Sequence, residues 1–183
     1  MILWVFFANR IYFQESFNEL YPNNKTKVIY PYVDKKRFKP KKVKIDDKRF
    51  KLLFTGNLIK RKGVDLLPKI MEKLGQDYVL YYTSGLRTKI PKSFNLTNMI
   101  PLGKLSEDEL VEWYNKCDAL LFPTRLEGFG YSVAEAMACG KPVIATNCSS
   151  IPELVKDGKD GFLCEMDNVD DFVEKIKILW RKK

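Results

Sequence analysis

A chain of 183 residues with 45% hydrophobic content has room for one full α/β domain with a sizeable core, not for two. Its net charge of +9 is unevenly placed: residues 1–62 hold 16 Lys and Arg against 5 Asp and Glu, and residues 63–183 hold 16 against 18. The lack of histidine excludes Ser-His and Cys-His nucleophilic dyads, and Cys117, Cys139, Cys148 and Cys164 lack the paired spacing of a zinc site, so they read as small buried apolar residues of a reducing compartment.

In chain order, the apolar run Ile2-Leu-Trp-Val-Phe-Phe7 reads as a buried strand. It is too short to span a membrane and has no basic start to mark a signal peptide. Residues 9–20 read as a helix and 27–30 as a strand. Ten basic residues, the first Lys35 and the last Lys51, then crowd a stretch with Pro40 and almost no apolar periodicity, which reads as an exposed loop or linker. Three uses compete for it: a solvated linker, a contact with anionic phospholipid at a membrane surface, and a nucleic-acid patch. Phe38 and Phe50, interleaved among the cations, point beyond solvation alone. Nucleic acid is the weakest partner, because the balance after residue 62 is acidic and no RNA- or DNA-binding signature accompanies the lysines.

From there strand and helix alternate. Residues 51–55, 78–82, 99–102, 119–122 and 143–145 read as strands; 64–74, 106–117, 133–138, 151–155 and 169–180 read as helices. Pro68 fits the first of these helices only within its first turn, and Ser106-Glu-Asp-Glu109 is a capping box opening the second. Such βα repetition predicts an α/β fold, a Rossmann-like, doubly wound parallel sheet with right-handed crossovers.

The richest chemistry lies in Pro123-Thr-Arg-Leu-Glu127-Gly-Phe-Gly130-Tyr-Ser-Val-Ala-Glu135-Ala-Met-Ala-Cys-Gly140-Lys-Pro142. Glu127 precedes Gly128-Phe129-Gly130, whose glycines relax φ and let main-chain N–H groups approach a ligand, while the following helix aims its N-terminal dipole at the same spot. An anion fits there. Glu127 and Glu135, eight residues apart, can bracket a polyhydroxylated ligand around it, since carboxylates accept hydrogen bonds from sugar hydroxyls. Each piece also has a plainer use: Ser132-Val-Ala-Glu135 is a capping box in its own right, and Glu127 could be a solvated loop carboxylate. The frame favours ligand binding, because an apolar strand ends at Pro123 and Gly140-Lys-Pro142 closes the helix before a second strand. That puts the carboxylates at the carboxyl end of a strand, where open α/β sheets bind ligands.

These residues resemble the donor-site signature of the GT-B retaining glycosyltransferases of family 4, also called glycosyl transferases group 1. The resemblance runs in register from about Val28 to the C-terminus, through Lys51-Leu-Leu-Phe-Thr-Gly56, Lys62-Gly63-Val-Asp-Leu-Leu, Ile100-Pro-Leu-Gly103, Cys117-Asp-Ala-Leu-Leu-Phe-Pro123 and Pro152-Glu153. It implies the C-terminal half of a GT-B fold: residues 1–34 a remnant of the acceptor-side N-terminal domain and the start of the interdomain link, 35–50 a basic linker, and 51–183 the nucleotide-sugar-binding domain. The missing N-terminal domain is then a partner, beside a nucleotide-sugar donor of UDP or GDP type, an acceptor glycan or glycolipid and, through the lysines, an anionic membrane surface.

The resemblance also implies residue roles. Glu127 and Lys62 are the catalytic candidates. Gly56, Asn57, Lys62, Leu105, Glu127, Gly128, Phe129, Gly130, Tyr131 and Glu135 are donor-binding candidates, Glu127 on sugar hydroxyls, Glu135 on ribose hydroxyls and Leu105 near the base. No metal and no cofactor is implied, and the setting is cytoplasmic, peripheral on the inner face of the membrane if the lysines meet lipid. The loop from Gly56 to Gly63, with Lys60, Arg61 and Lys62 in succession, is a second phosphate contact or a basic surface turn. Asn57 stands where Arg is usual, and Ser149-Ser150 where two glycines are common. Beside a donor-binding half-enzyme stand a noncatalytic nucleotide-sugar-binding module and a basic nucleic-acid module.

Overall fold

The computed structural model describes residues 5–6, 19, 27–28, 30–43, 45–84 and 90–182. Most of the strand expected at 2–7, the helix at 9–20 and part of 27–30 therefore lie outside the described residues. Within them, Val5–Phe6 (β1) pairs in parallel with Lys27–Val28 (β2).

The main body is a six-stranded, wholly parallel sheet built from Phe50–Phe54 (β3), Tyr78–Thr83 (β4), Met99–Gly103 (β5), Ala119–Phe122 (β6), Val143–Thr146 (β7) and Gly161–Cys164 (β8). Their spatial order is β5-β4-β3-β6-β7-β8. The chain winds outward from β3 to one edge, returns to the centre, and winds outward to the other. Adjacent strands β3 and β6 thus send their following segments in opposite directions, and the crevice between those segments is where a doubly wound sheet receives a ligand.

Strands buried on both faces read as near-continuous apolar runs, and β3, β6 and β7 are buried at every position. Alternate side chains divide two cores. Leu52, Phe54, Leu80, Tyr82, Leu121 and Ile144 pack on one face with the helices Leu67–Leu74 (α1) and Val169–Arg181 (α5). Leu53, Val79, Tyr81, Leu120, Phe122 and Ala145 pack on the other with Glu107–Lys116 (α2), Tyr131–Ala138 (α3) and Ile151–Leu154 (α4).

Several boundaries differ from expectation. Strand β8 is absent from the sequence reading because four residues led by a glycine carry too little periodicity. Helix α1 begins at Leu67, with Pro68 in its first turn as that ring requires. The box at Ser106 forms in full: its hydroxyl accepts from the Glu109 N–H at 3.3 Å while Glu109 Oε2 accepts from the Ser106 N–H at 2.8 Å. The box expected at Ser132 does not form. Helix α3 starts two residues earlier, at Tyr131, and its cap position is taken by Gly130 at φ 91°, a left-handed conformation that puts Glu135 too deep in the helix to return to the cap.

The lysine-rich stretch is more anchored than a detached linker. Phe38 is buried edge-on against Tyr114, the Lys41 N–H donates to Asn115 Oδ1 at 2.6 Å, and Asp47 holds both the Arg49 guanidinium and the Tyr81 hydroxyl. Phe50 opens β3 against Tyr78. Both aromatics that stood out among the cations therefore serve the core, while Lys35, Lys36, Lys39, Lys41, Lys42 and Lys48 remain exposed. All four cysteines are free, Cys148 half-buried and the others buried. No helix among the described residues is long and apolar enough to cross a membrane.

Candidate functional site

Two loops leave the sheet's carboxyl edge at the β3/β6 crevice, and backbone contacts lock them together. The loop after β3 ends in a single 3-10 turn, Lys60–Lys62, closed by Gly63 at φ 69°. A Cβ at Gly63 would lie 1.8 Å from the Pro123 carbonyl oxygen, so only glycine lets this loop touch the end of β6. From the other side the Arg125 N–H donates to the Arg61 carbonyl at 2.8 Å, and Arg61 Nη1 donates to the Leu126 carbonyl at 2.6 Å. The Arg125 guanidinium donates to the Lys60 carbonyl, grips Asp65 with two bonds of 2.7 and 2.8 Å, and reaches Asp167 at 2.7 Å. This grip holds the Asp65 carboxyl below the usual carboxylate range.

The lock brings two expected residues into contact. Lys62 Nζ forms an ion pair with Glu127 Oε2 and lies 4.9 Å from the centroid of the Phe122 ring. The two side chains are 15% and 13% exposed. In a poorly hydrated spot such a pair is strongly coupled, and the cation is held in place at the crevice. The Gly128 N–H donates to Glu127 Oε1 at 3.2 Å. Ser150 Oγ donates to the Glu127 carbonyl at 3.3 Å, and Ser149 before it stands at a strained φ of 52°. Ser150 thus ties the segment after β7 to the glutamate turn. Gly130 caps α3 with no side-chain cap; the Val133 and Ala134 N–H groups donate to the Gly130 carbonyl at 2.9 and 3.0 Å, and those of Tyr131 and Ser132 precede the first intrahelical bond.

Glu135 sits differently. Its Oε2 accepts from the Tyr114 hydroxyl at 2.8 Å, and that hydroxyl lies 3.1 Å from Thr55 Oγ1. Burial pushes the Glu135 carboxyl above its ordinary range, and the bond from Tyr114 opposes the shift. Thr55 is followed by Gly56, whose N–H donates to Thr83 Oγ1 at 3.0 Å. Gly56, Asn57 and Leu105 line one cavity of about 270 Å³ together with Thr55, Thr83 and Ser132. Phe129 stands apart from this cluster and lines a separate, larger groove of about 700 Å³ with Phe38, Ala134, Met137 and Leu154. Among the described residues no three His, Cys, Asp or Glu side chains gather as metal ligands would.

Sequence reasoning missed Tyr114, Thr55 and Arg125. Tyr114 falls on the apolar face of α2, where an aromatic signals core and nothing else. Arg125 could have been noticed as a cation two residues before the glutamate, with Asp65 two residues after Gly63.

A parallel sheet with its crossover at the centre, and a cation–carboxylate pair at that point of its carboxyl edge, defines a doubly wound α/β protein with charged side chains in the crevice where such sheets take their ligands. The family profile described as Glycosyl transferases group 1 matches residues 35–183, and the chain belongs to that family. It is 39% identical over 127 residues to an uncharacterised glycosyltransferase of Methanocaldococcus jannaschii, an alignment covering 68% of this chain and 36% of that protein. In fold it is similar to sucrose-phosphate synthase from Thermosynechococcus elongatus, with a TM-score of 0.83 at 20% identity over 98% of this chain and 49% of that one. Anabaena HepE, solved in complex with UDP and glucose, matches with a TM-score of 0.75 at 21% identity over 94% of this chain and 52% of its own. The chain spans about a third of the archaeal relative's length and about half of each solved structure.

Proposed function

We propose that this chain is the C-terminal, donor-binding half of a GT-B glycosyltransferase of family 4. It moves a sugar, with retention at the anomeric carbon, from a nucleotide diphosphate sugar to an acceptor hydroxyl. The observation that carries this reading is the ion pair of Lys62 with Glu127 at the crevice where the loops after β3 and β6 meet. A donor's diphosphate placed there would lie on Lys62 and the first N–H groups of α3. These would neutralise charge developing on the leaving diphosphate, the electrostatic task a metal ion performs elsewhere, and no metal is assigned. Glu127 would turn to the donor sugar's hydroxyls and Glu135 to those of the ribose. The cavity lined by Asn57 and Leu105 would take the base. The complex of HepE with UDP supports a uridine nucleotide as the first donor to try.

Residues 1–34 would belong to the acceptor-side domain, 35–50 to the link and 51–183 to the donor domain. An opposing wall that excludes water and orients a glycan or glycolipid acceptor would come from the domain outside this chain. The exposed lysines of the link would rest on an anionic leaflet at the cytoplasmic face. At about 1 kcal/mol per cation near the surface, the chain is expected to sediment with acidic vesicles at low salt and to release as salt rises. Equal and negligible binding to neutral and acidic vesicles would return the segment to a solvated link.

Calorimetry with UDP, GDP and ADP tests the central reading. Weak binding of at least one, with little or no sugar transfer, is expected, and a folded sample that takes up none of the three would end it. A noncatalytic nucleotide-sugar-binding module using the same crevice is the second reading. Transfer by this chain joined to an upstream α/β domain would exclude it.

A further inference from the structure

We infer that Tyr114 is a positioning residue of the donor site, fixing the rotamer of Glu135 through its buried hydroxyl. The inference rests on the proposed role of Glu135 toward a ribose. Glutamate has three rotatable bonds, so a ligand-binding carboxylate loses affinity to every rotamer that misses the ligand. Three observations give Tyr114 the means to remove that loss. Its side chain is 1% exposed and wedged edge-on against Phe38, so the hydroxyl has one place to be. That hydroxyl donates its single proton to Glu135 Oε2 at 2.8 Å, which leaves Oε1 to accept from a ligand. Having donated, it is left to accept from the hydroxyls beside it, Thr55 Oγ1 at 3.1 Å and Ser132, so the network points toward the carboxylate.

The same chain ties the two arms of the site. Thr55 adjoins Gly56 in the loop after β3, Glu135 lies on α3 beyond β6, and Tyr114 reaches both from α2. A hydrogen bond from a neutral donor favours the ionised carboxylate, and burial disfavours it. Tyr114 thereby opposes the effect of burial on a half-buried carboxylate without a cation whose field would compete for the diphosphate. The plain alternative is a core tyrosine whose hydroxyl takes whatever acceptor is near.

The experiment compares the parent 183-residue chain, Tyr114→Phe, Glu135→Gln and the double variant. Each is titrated calorimetrically with the nucleoside diphosphate the parent binds best and with its 2′,3′-dideoxy analogue. Tyr114→Phe is expected to lose about tenfold in affinity for the ribose form, as Glu135→Gln does, since each removes one end of a charge-assisted arrangement. The double variant is expected to lose no more than Glu135→Gln alone, and none of the variants to bind the dideoxy analogue more weakly than the parent does. Losses that multiply, or that extend equally to the dideoxy analogue, would make Tyr114 a packing residue and overturn the inference. So would full affinity in Tyr114→Phe beside a weakened Glu135→Gln, and in that case the ribose role of Glu135 would stand. An unweakened Glu135→Gln would remove that role and the inference with it.

Discussion

Strand β3 and its neighbour β6 carry a lysine–carboxylate pair at each end, and the two pairs are built to different specifications. At the amino edge Lys51 Nζ donates to the carbonyls of Asp47 and Arg49 at 3.0 and 2.9 Å and lies 3.3 Å from Asp118 Oδ2, which also accepts the Lys51 N–H at 2.8 Å. Two of the ammonium's three protons have carbonyl acceptors, and a carboxylate stands within ion-pair distance besides. At the carboxyl edge Lys62 meets one carboxylate and the face of one ring. Burial hardly separates the pairs, with side chains 9% and 12% exposed at one end and 15% and 13% at the other. The difference lies in coordination among the described residues: the amino-edge cation is held by two carbonyls and a carboxylate and closes a structure, whereas the carboxyl-edge cation has one hydrogen-bond acceptor and can receive an anion. A buried salt bridge thus says little about function until the acceptors around its cation are known.

The comparison breaks most sharply under Lys51→Met. Removing the ammonium takes its ion-pair partner from the Asp118 carboxylate, 12% exposed, and leaves the Asp47 and Arg49 carbonyls without their Nζ donor. A stability loss of about 3 kcal/mol is expected, read by urea denaturation and as a fall of roughly 6–12 °C in melting temperature. Nucleotide affinity of the folded fraction should not change. A variant that melts like the parent would mean the amino-edge pair does not hold the sheet.

Lys62→Met should reverse the pattern. Glu127 sits on a turn at the sheet's rim and can swing toward water, so melting should move by only a few degrees. Affinity for a nucleoside diphosphate should fall about tenfold or more, the value of a charge-assisted contact. Unchanged affinity in calorimetry would remove Lys62 from the site and the contrast between the edges with it.

Glu127→Gln gives the smallest and most selective effect. It frees Lys62 from its carboxylate, so a nucleoside diphosphate should bind at least as well as to the parent. The intact nucleotide sugar should bind several-fold more weakly, because the proposed partner of Glu127 is the sugar. Equal changes for both ligands would show that the carboxylate does not distinguish them.

Much of this was legible in the sequence, and the rest was hidden for identifiable reasons. The alternation of apolar runs with amphipathic ones gave the parallel sheet, since strands buried on both faces cannot look like anything else for long. The glycine-flanked turn at Glu127 and the cation before Gly63 were readable because both break the pattern of their surroundings. The capping box at Ser132 was misread because it needs the right residues and also a cap in extended conformation, and Gly130 takes the cap in a left-handed one. Tyr114 was invisible because its partners, Glu135 and Thr55, are remote in sequence and adjacent only in the fold, whereas Arg125 stood in view beside Glu127 and only its pairing with Asp65 and Asp167 needed the fold. The lysine stretch looked detached because the residues pinning it, Phe38 and Asp47, are few among many cations.

One absent methyl group serves as the ruler of the crevice. At Gly63 the backbone rests against the Pro123 carbonyl where a Cβ would need to stand at 1.8 Å. Any side chain there would push the loop back by more than an ångström, several times the error a constellation of reacting groups tolerates. The span from Lys62 to Glu127 is thereby metered by an atom the chain lacks, and every heavier residue at that position would build the site at the wrong scale.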